Sequence, residues 1–323
     1  MQTVFPRLWF LRIKNCLVLM FVYLTILACG GTVPASQTTA PGYANESSNP
    51  GDQIRVINFA GLERTYVLHI PPGYNPAKPA PLVLAFHGIG LDANEMMRIS
   101  GLNTQADKSG FIVVYPNGSG ATKSWNGGRC CGEAAKNNVD DVGFVRALID
   151  ELAGSLNIDQ DRVYATGFSN GAILVYRLAC ELSDRIAAIG PVAATQIRDD
   201  QEVCHPSRNI SVIHFHGTAD RLNPYEGGTT SVGYEFLPVS EAIGFWVNQN
   251  ACPTPIRSEV TDSIQHDEYV PCIDNSAVEL YTIMEGEHAW PGGQAVSVQV
   301  GEPTMELSAT PLMWEFFKAH SLP

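Results

Sequence analysis

Residues 163–171 read VYATGFSNG. A β-branched and aromatic run enters Gly167-Phe168-Ser169-Asn170-Gly171, and Ala172, Ile173, Val175, Tyr176 and Ala179 follow at helical spacing. A strand, a tight turn and a helix in that order hold a serine hydroxyl clear of a sheet. The flanking glycines are needed because a Cβ at either place would strike the strand or the helix. The helix beginning there aims unpaired N–H groups at the space in front of the hydroxyl. Ser169 is therefore the candidate nucleophile.

A serine hydroxyl attacks poorly at neutral pH, so it needs a base within hydrogen-bond reach and a third group to orient that base. On a strand–turn–helix scaffold the expected chain order is serine, acid, histidine, each on a loop after a strand. The apolar run 212–215 leads into His216-Gly217-Thr218-Ala219-Asp220, and the run 278–284 leads into Glu285-Gly286-Glu287-His288. Asp220 and His288 are the expected acid and base, with Glu226, Glu285 and Glu287 as neighbouring carboxylates that stay open for the acid role. An oxyanion formed by attack on a carbonyl needs backbone donors already in place. The first expected donor is the N–H of Asn170. The second comes from the loop His87-Gly88-Ile89-Gly90, where Ile89 N–H is preferred and Gly88 is the next choice.

His214 and His216 share one face of a strand, which raises a metal site, yet no third ligand accompanies them. No C-x-x-C with a matching second pair exists either, so neither metal nor cofactor is expected. The remaining histidines, His69, His205, His266 and His320, read as structural or surface groups.

These residues need a scaffold. Residues 54–59 and 65–70 read as a hairpin across Gly61, and 82–86, 111–115, 162–166, 186–192, 212–215 and 278–284 as largely apolar strands, the pattern of strands covered on both faces. Helical patterns lie between them. Asp140 and Asp141 open one that carries Val142, Val145, Ile149, Leu152 and Leu156; Ser240 caps a second; Thr310-Pro311 starts a third. Alternating strands and helices predict an α/β fold, a doubly wound, mostly parallel sheet with helices on both faces.

The first 29 residues stand apart. Arg7, Arg12 and Lys14 flank the apolar run 16–28, which is short for a bilayer span and reads as an export signal. It ends Ile26-Leu27-Ala28-Cys29, similar to the lipobox in which the cysteine is lipidated, so Cys29 is the candidate anchor. Residues 30–52 are rich in Gly, Ser, Thr and Pro and read as a flexible linker, leaving 53–323 as the catalytic domain. The net charge of −13 disfavours nucleic acid and anionic lipid surfaces as partners. Six further cysteines in an exported chain suggest disulfides. Cys252 and Cys272 flank an acidic, loop-like insertion and are the expected pair; Cys130 and Cys131 are expected to reach Cys180 and Cys204. Oligomeric state has no signature here.

At several separated motifs the chain resembles the secreted esterases that unite polyhydroxybutyrate depolymerase-like and feruloyl esterase-like enzymes of the α/β-hydrolase fold. The matching segments are the HG loop at His87, SWNGGRCCG at 124–132, NNVDDVGFVRALID at 137–150, NIDQDRVYATGFSNGA at 157–172, HGTAD at 216–220 and HAWPGG at 288–293. The resemblance implies a triad of Ser169, Asp220 and His288 and a vicinal-cysteine loop bordering the site. It also implies substrate-binding walls at Trp125 and Trp290, with His87 beside them. Leu91 stands where a further glycine is common in that family. Relatives that degrade solid polyester carry an extra C-terminal binding domain, so the expected substrates are feruloyl or acetyl esters of plant polysaccharide, or short hydroxyalkanoate oligomers. A serine peptidase and a non-catalytic binding protein on the same fold are the rival readings; labelling of Ser169 by a fluorophosphonate excludes the second.

Overall fold

Two extended runs, Gly51–Phe59 (β1) and Leu62–Ile70 (β2), pair antiparallel across the turn at Gly61, so the first strand starts inside the segment read as linker. Next come Ala80–Phe86 (β3), helices Ala93–Ser100 (α1) and Leu102–Ser109 (α2), and Ile112–Pro116 (β4). The short helix Gly132–Lys136 (α3) and the long one Asp141–Ser155 (α4) precede Ile158–Phe168 (β5), Asn170–Glu181 (α5) and Ala188–Val192 (β6). Arg198–Glu202 (α6), Ser211–Gly217 (β7), the two-residue strands Gly228–Thr229 (β8) and Glu235–Phe236 (β9), and Val239–Gln249 (α7) follow. The chain closes with Ile256–Thr261 (β10), Ile264–Tyr269 (β11), Val278–Ile283 (β12) and Ala309–Lys318 (α8). This computed structural model describes residues 48–230, 233–297 and 300–323, within the compact unit Glu46–Pro323. The expected signal with Cys29, and the linker up to residue 47, lie outside the described residues.

Among the described residues one sheet has the order β1-β2-β4-β3-β5-β6-β7-β12-β11-β10. The run from β4 to β12 is parallel, and an antiparallel hairpin flanks it on each side. Successive side chains of a strand point to opposite faces, which is why β3 is apolar throughout. Leu82, Leu84 and Phe86 pack with α4, α5 and α7 on one face, while Val83 and Ala85 pack with α1, α2 and α8 on the other. The doubly wound expectation holds. α4 begins as expected, with the Asp140 carboxylate accepting from Gly143 N–H.

Three expectations need correction. The acidic insertion between Cys252 and Cys272 is the β10–β11 hairpin, which adds two strands to the sheet beside β12. β10 is an edge strand whose side chains are mostly exposed, Ile256 and Val260 included, so no apolar alternation marks it. Cys252 and Cys272 are paired as expected, but Cys130 bonds Cys131, and Cys180 bonds Cys204. The vicinal pair packs at the start of α5 against Ala172 and Ile173. A helix rises about 1.5 Å per residue, so Cys180 lies about 10 Å further along the axis and out of bonding reach. Two helix starts also shift, each by two residues. α7 begins at Val239 after Pro238, and α8 at Ala309 after Ser308. Thr310 does not cap; its hydroxyl donates to Ser100 O and accepts from Trp290 Nε1–H.

Candidate active site

The carboxyl ends of the parallel strands gather the candidate residues. Phe168, Val192 and Phe215 stand level across β5, β6 and β7, and Gly217 stands level with Ile283 on β12. Loops leaving β5, β7 and β12 therefore open on the same edge of the sheet.

Ser169 leaves β5 with φ 56° and ψ −120°, a backbone state that a side chain other than glycine rarely adopts. Its N–H donates to Val192 O at 3.0 Å, and its C=O accepts from Ala172 and Ile173 at 2.8 and 3.2 Å. The turn is further closed by contact. A Cβ on Gly167 would lie 2.5 Å from Gly171 C, and one on Gly171 would strike the carbonyl oxygens of Phe86 and His87. Glycine is required at both places by this close approach. Ser169 remains partly exposed, whereas Asp220 and His288 are buried.

The loops after β7 and β12 are stapled together. Thr218 N–H donates to Ile283 O and Ala219 N–H to Gly286 O, each at 2.9 Å, and Thr218 Oγ1 accepts from Glu285 N–H at 2.7 Å. Asp220 Oδ1 accepts from the backbone of Leu222 and Asn223 at 2.9 and 2.8 Å, and Oδ2 accepts from His288 Nδ1–H at 2.7 Å. The carboxylate thus fixes the imidazole tautomer, leaving Nε2 as the free acceptor. The His288 ring lies 4.8 Å from the ring of Phe168, the residue preceding Ser169. Of the other carboxylates near by, Glu287 accepts from Glu302 N–H.

The HG loop runs against Ser169, since a Cβ on Gly88 would sit 3.3 Å from Ser169 Cβ. Gly90 N–H donates to Lys123 O and Leu91 N–H to Gly88 O, so the two amides after Ile89 are engaged in the loop itself. His87 is fully buried. Its Nδ1–H donates to Gly88 O at 2.7 Å, and its Nε2 accepts from Gly118 N–H at 2.9 Å. Because a trans peptide sets C=O and N–H in opposite directions, holding Gly88 O inward turns Ile89 N–H outward.

Accepting from Gly118 N–H needs neutral His87, and burial pushes its pKa down from 6.5 to about 4. Burial lowers His214 and His216 as well. The unfolded chain therefore binds protons near pH 6.5 that the folded chain refuses, and stability falls as pH drops from about 6.5 towards about 4. His87 alone accounts for about 3 kcal/mol of that fall. Urea unfolding across this window should show a shallower acid limb for His87→Gln than for the parent; identical limbs would contradict the assignment.

Two expected substrate walls are placed differently. Trp125 is fully buried, with Nε1–H on His87 O at 2.9 Å and its backbone N–H on Asn170 Oδ1 at 2.8 Å. Trp290 is buried too, its indole N–H bound to Thr310. With 0% and 1% of their surfaces exposed, neither indole presents a face to solvent, and both residues brace loops. Asn170 Nδ2 also donates to Trp125 O at 3.1 Å, closing a two-bond clamp between the cysteine loop and the Ser169 turn. Sequence reasoning also missed Asp141, which is fully buried, binds Arg64 at 2.8 Å and accepts from Asn126 N–H at 2.8 Å. A first-turn aspartate reads as a solvated helix charge, and nothing local marks this one as a buried anchor.

A mostly parallel sheet covered on both faces, with a serine on a strained strand-to-helix turn, makes this chain an α/β-hydrolase. The acetyl xylan esterase of Aspergillus awamori shares that fold, with a TM-score of 0.61 at 12% identity over 83% of this chain and 99% of that one. The model of the esterase PHB depolymerase family matches residues 64–203. A Nocardia uniformis subsp. tsuyamanensis protein named "Putative esterase NocK" is 31% identical over 306 residues, 84% of this chain and 88% of its own length. Feruloyl esterase B of Piromyces equi is 30% identical over 268 residues, 80% of this chain but 46% of that longer protein. The chain belongs to the PHB depolymerase-like and feruloyl esterase-like family and is a carboxylic-ester hydrolase.

Proposed function

We propose that this protein is an exported serine esterase working through an acyl-enzyme on feruloyl or acetyl esters of plant polysaccharide, or on short hydroxyalkanoate oligomers. The observation that carries the reading is the 2.7 Å bond from His288 Nδ1 to Asp220, with the imidazole against the residue before a strained serine. Ser169 Oγ attacks the ester carbonyl as His288 Nε2 takes its proton, and Asp220 stabilises the imidazolium. Asn170 N–H and the HG loop, Ile89 N–H ahead of Gly88, receive the oxyanion. His288 then protonates the leaving alcohol. Water attacks the acyl-enzyme, gives its proton to His288, and releases the acid and Ser169.

The substrate class is supported by the names of the relatives and is tested directly. Methyl ferulate, acetylated xylan and a hydroxybutyrate trimer should be assayed side by side, and at least one should be turned over with kcat/KM of about 10⁴ M⁻¹s⁻¹ or more. Activity on p-nitrophenyl acetate with none of the three would reject the substrate class and keep the esterase.

Export is supported by three disulfides, which persist in oxidising compartments. Anchoring through Cys29 predicts incorporation of labelled palmitate that Cys29→Ala abolishes. Equal labelling of both forms would reject it.

A further inference from the structure

Behind the acid limb of the site, three buried side chains form one line of hydrogen bonds. Tyr176 OH lies 2.9 Å from His214 Nδ1, His214 Nε2 lies 3.1 Å from His216 Nδ1, and His216 Nε2 lies 2.8 Å from Asn223 O. All three side chains are closed off from solvent. The proton positions follow from the far end. Asn223 O is a carbonyl and only accepts, so His216 Nε2 carries a hydrogen. Burial keeps His216 neutral, so its Nδ1 is bare and accepts from His214 Nε2–H; His214 Nδ1 in turn accepts from the tyrosine hydroxyl. Every donor thus points the same way, towards residues 220–223.

What lies at the end of the line is the turn that holds the acid. Asn223 offers its N–H to Asp220 Oδ1, while its own side chain donates to Ala193 O at 3.0 Å. Asn223 is thereby held at its carbonyl by His216 and at its amide by β6's exit. His216 Nε2 also stands 3.6 Å from Asp220 Oδ2, the oxygen bound by His288. That distance is too long for a strong bond, so His288 keeps the short one, and the ring's N–H pole still faces the carboxylate. β7 supplies both histidines at alternate positions of one strand face, and α5, the helix that starts at Ser169, supplies the tyrosine.

We infer that Tyr176, His214 and His216 are positioning residues for this reaction, a directional array that locks the Asp220 turn so that Oδ2 is presented to His288. The inference rests on the Ser169, Asp220 and His288 reading proposed above. Satisfied core histidines with no part in the reaction are the competing account, and the two separate in a mutant cycle.

Glutamine places an amide nitrogen near the site of ring Nε2 and can still reach Asn223 O, whereas asparagine places it near Nδ1 and cannot. His216→Asn should lower kcat on p-nitrophenyl acetate about 10- to 100-fold with KM within about twofold of the parent, and His216→Gln should stay within about fivefold. In an Asp220→Asn background, His216→Asn should change kcat by less than about twofold, because a residue acting through the acid has nothing left to position. Equal losses for the asparagine and glutamine variants, or losses that multiply in the double variant, would overturn the array. An Asp220→Asn protein with unaltered kcat would instead overturn the triad reading beneath it. If His216→Asn does not fold, Tyr176→Phe reads the same cycle, with an expected loss of about two- to fivefold in the parent and none beside Asp220→Asn. The same loss in both backgrounds rejects the array.

Discussion

Replacing Ser169 by alanine should lower kcat on p-nitrophenyl acetate by about 10⁴-fold or more while the protein stays folded. The fold is expected to survive because the turn is held by its backbone: Ser169 N–H on Val192 O, and Ser169 O under two helix amides. Alanine retains all three bonds and brings no larger Cβ into the space beside Gly88. The residual rate would come from the oxyanion donors and from binding, which do not need the hydroxyl. Stopped kinetics with a fluorophosphonate should label the parent at one site and leave Ser169→Ala unlabelled. Near-parental turnover by the variant would end the serine mechanism, whatever the fold.

How much of this was readable from residue order differs by element, for physical reasons. Strands covered on both faces are largely apolar, so β3, β4, β6 and the apolar stretches of β5, β7 and β12 stand out in the chain. The β10–β11 hairpin has no such mark, because its outer strand meets solvent along most of its length. α1 and α2 do carry local signals. Asp92 caps α1 through Asn94 and Glu95 N–H, and Gly101 and Gly110 end the two helices at φ 62° and 78°. Asp220 and His288 meet because their loops leave adjacent parallel strands, an outcome implied by strand order once the sheet is parallel. Tyr176 could not be joined to His214 in this way, since the two lie 38 positions apart and a helix register decides which way the tyrosine points. Indole depth is equally hidden: Trp125 and Trp290 lie in glycine-rich loops that suggest exposure, and both turn inward.

Asp220→Asn should cost about 10⁴-fold in kcat, for a reason of proton placement more than of charge. In the parent, Oδ1 is occupied by Leu222 and Asn223 N–H, so the oxygen facing His288 is Oδ2. An asparagine that keeps its oxygen on those two backbone donors must turn its NH₂ towards His288. Two N–H groups then confront each other, and the imidazole escapes by moving its hydrogen to Nε2. That tautomer offers Ser169 a donor where the reaction needs an acceptor, so the base is lost although every heavy atom stays near its place. KM should move little, because neither Asp220 nor the Nδ1 edge faces the substrate side. Nitrogen NMR of His288 should report the switch directly, with Nδ1 bonded to hydrogen in the parent and Nε2 in the variant. A variant that retains the parental tautomer and rate would transfer the acid role to Glu226, Glu285 or Glu287. Loss of rate without the tautomer change would leave only the missing charge, a weaker effect that a rise in pH should not restore.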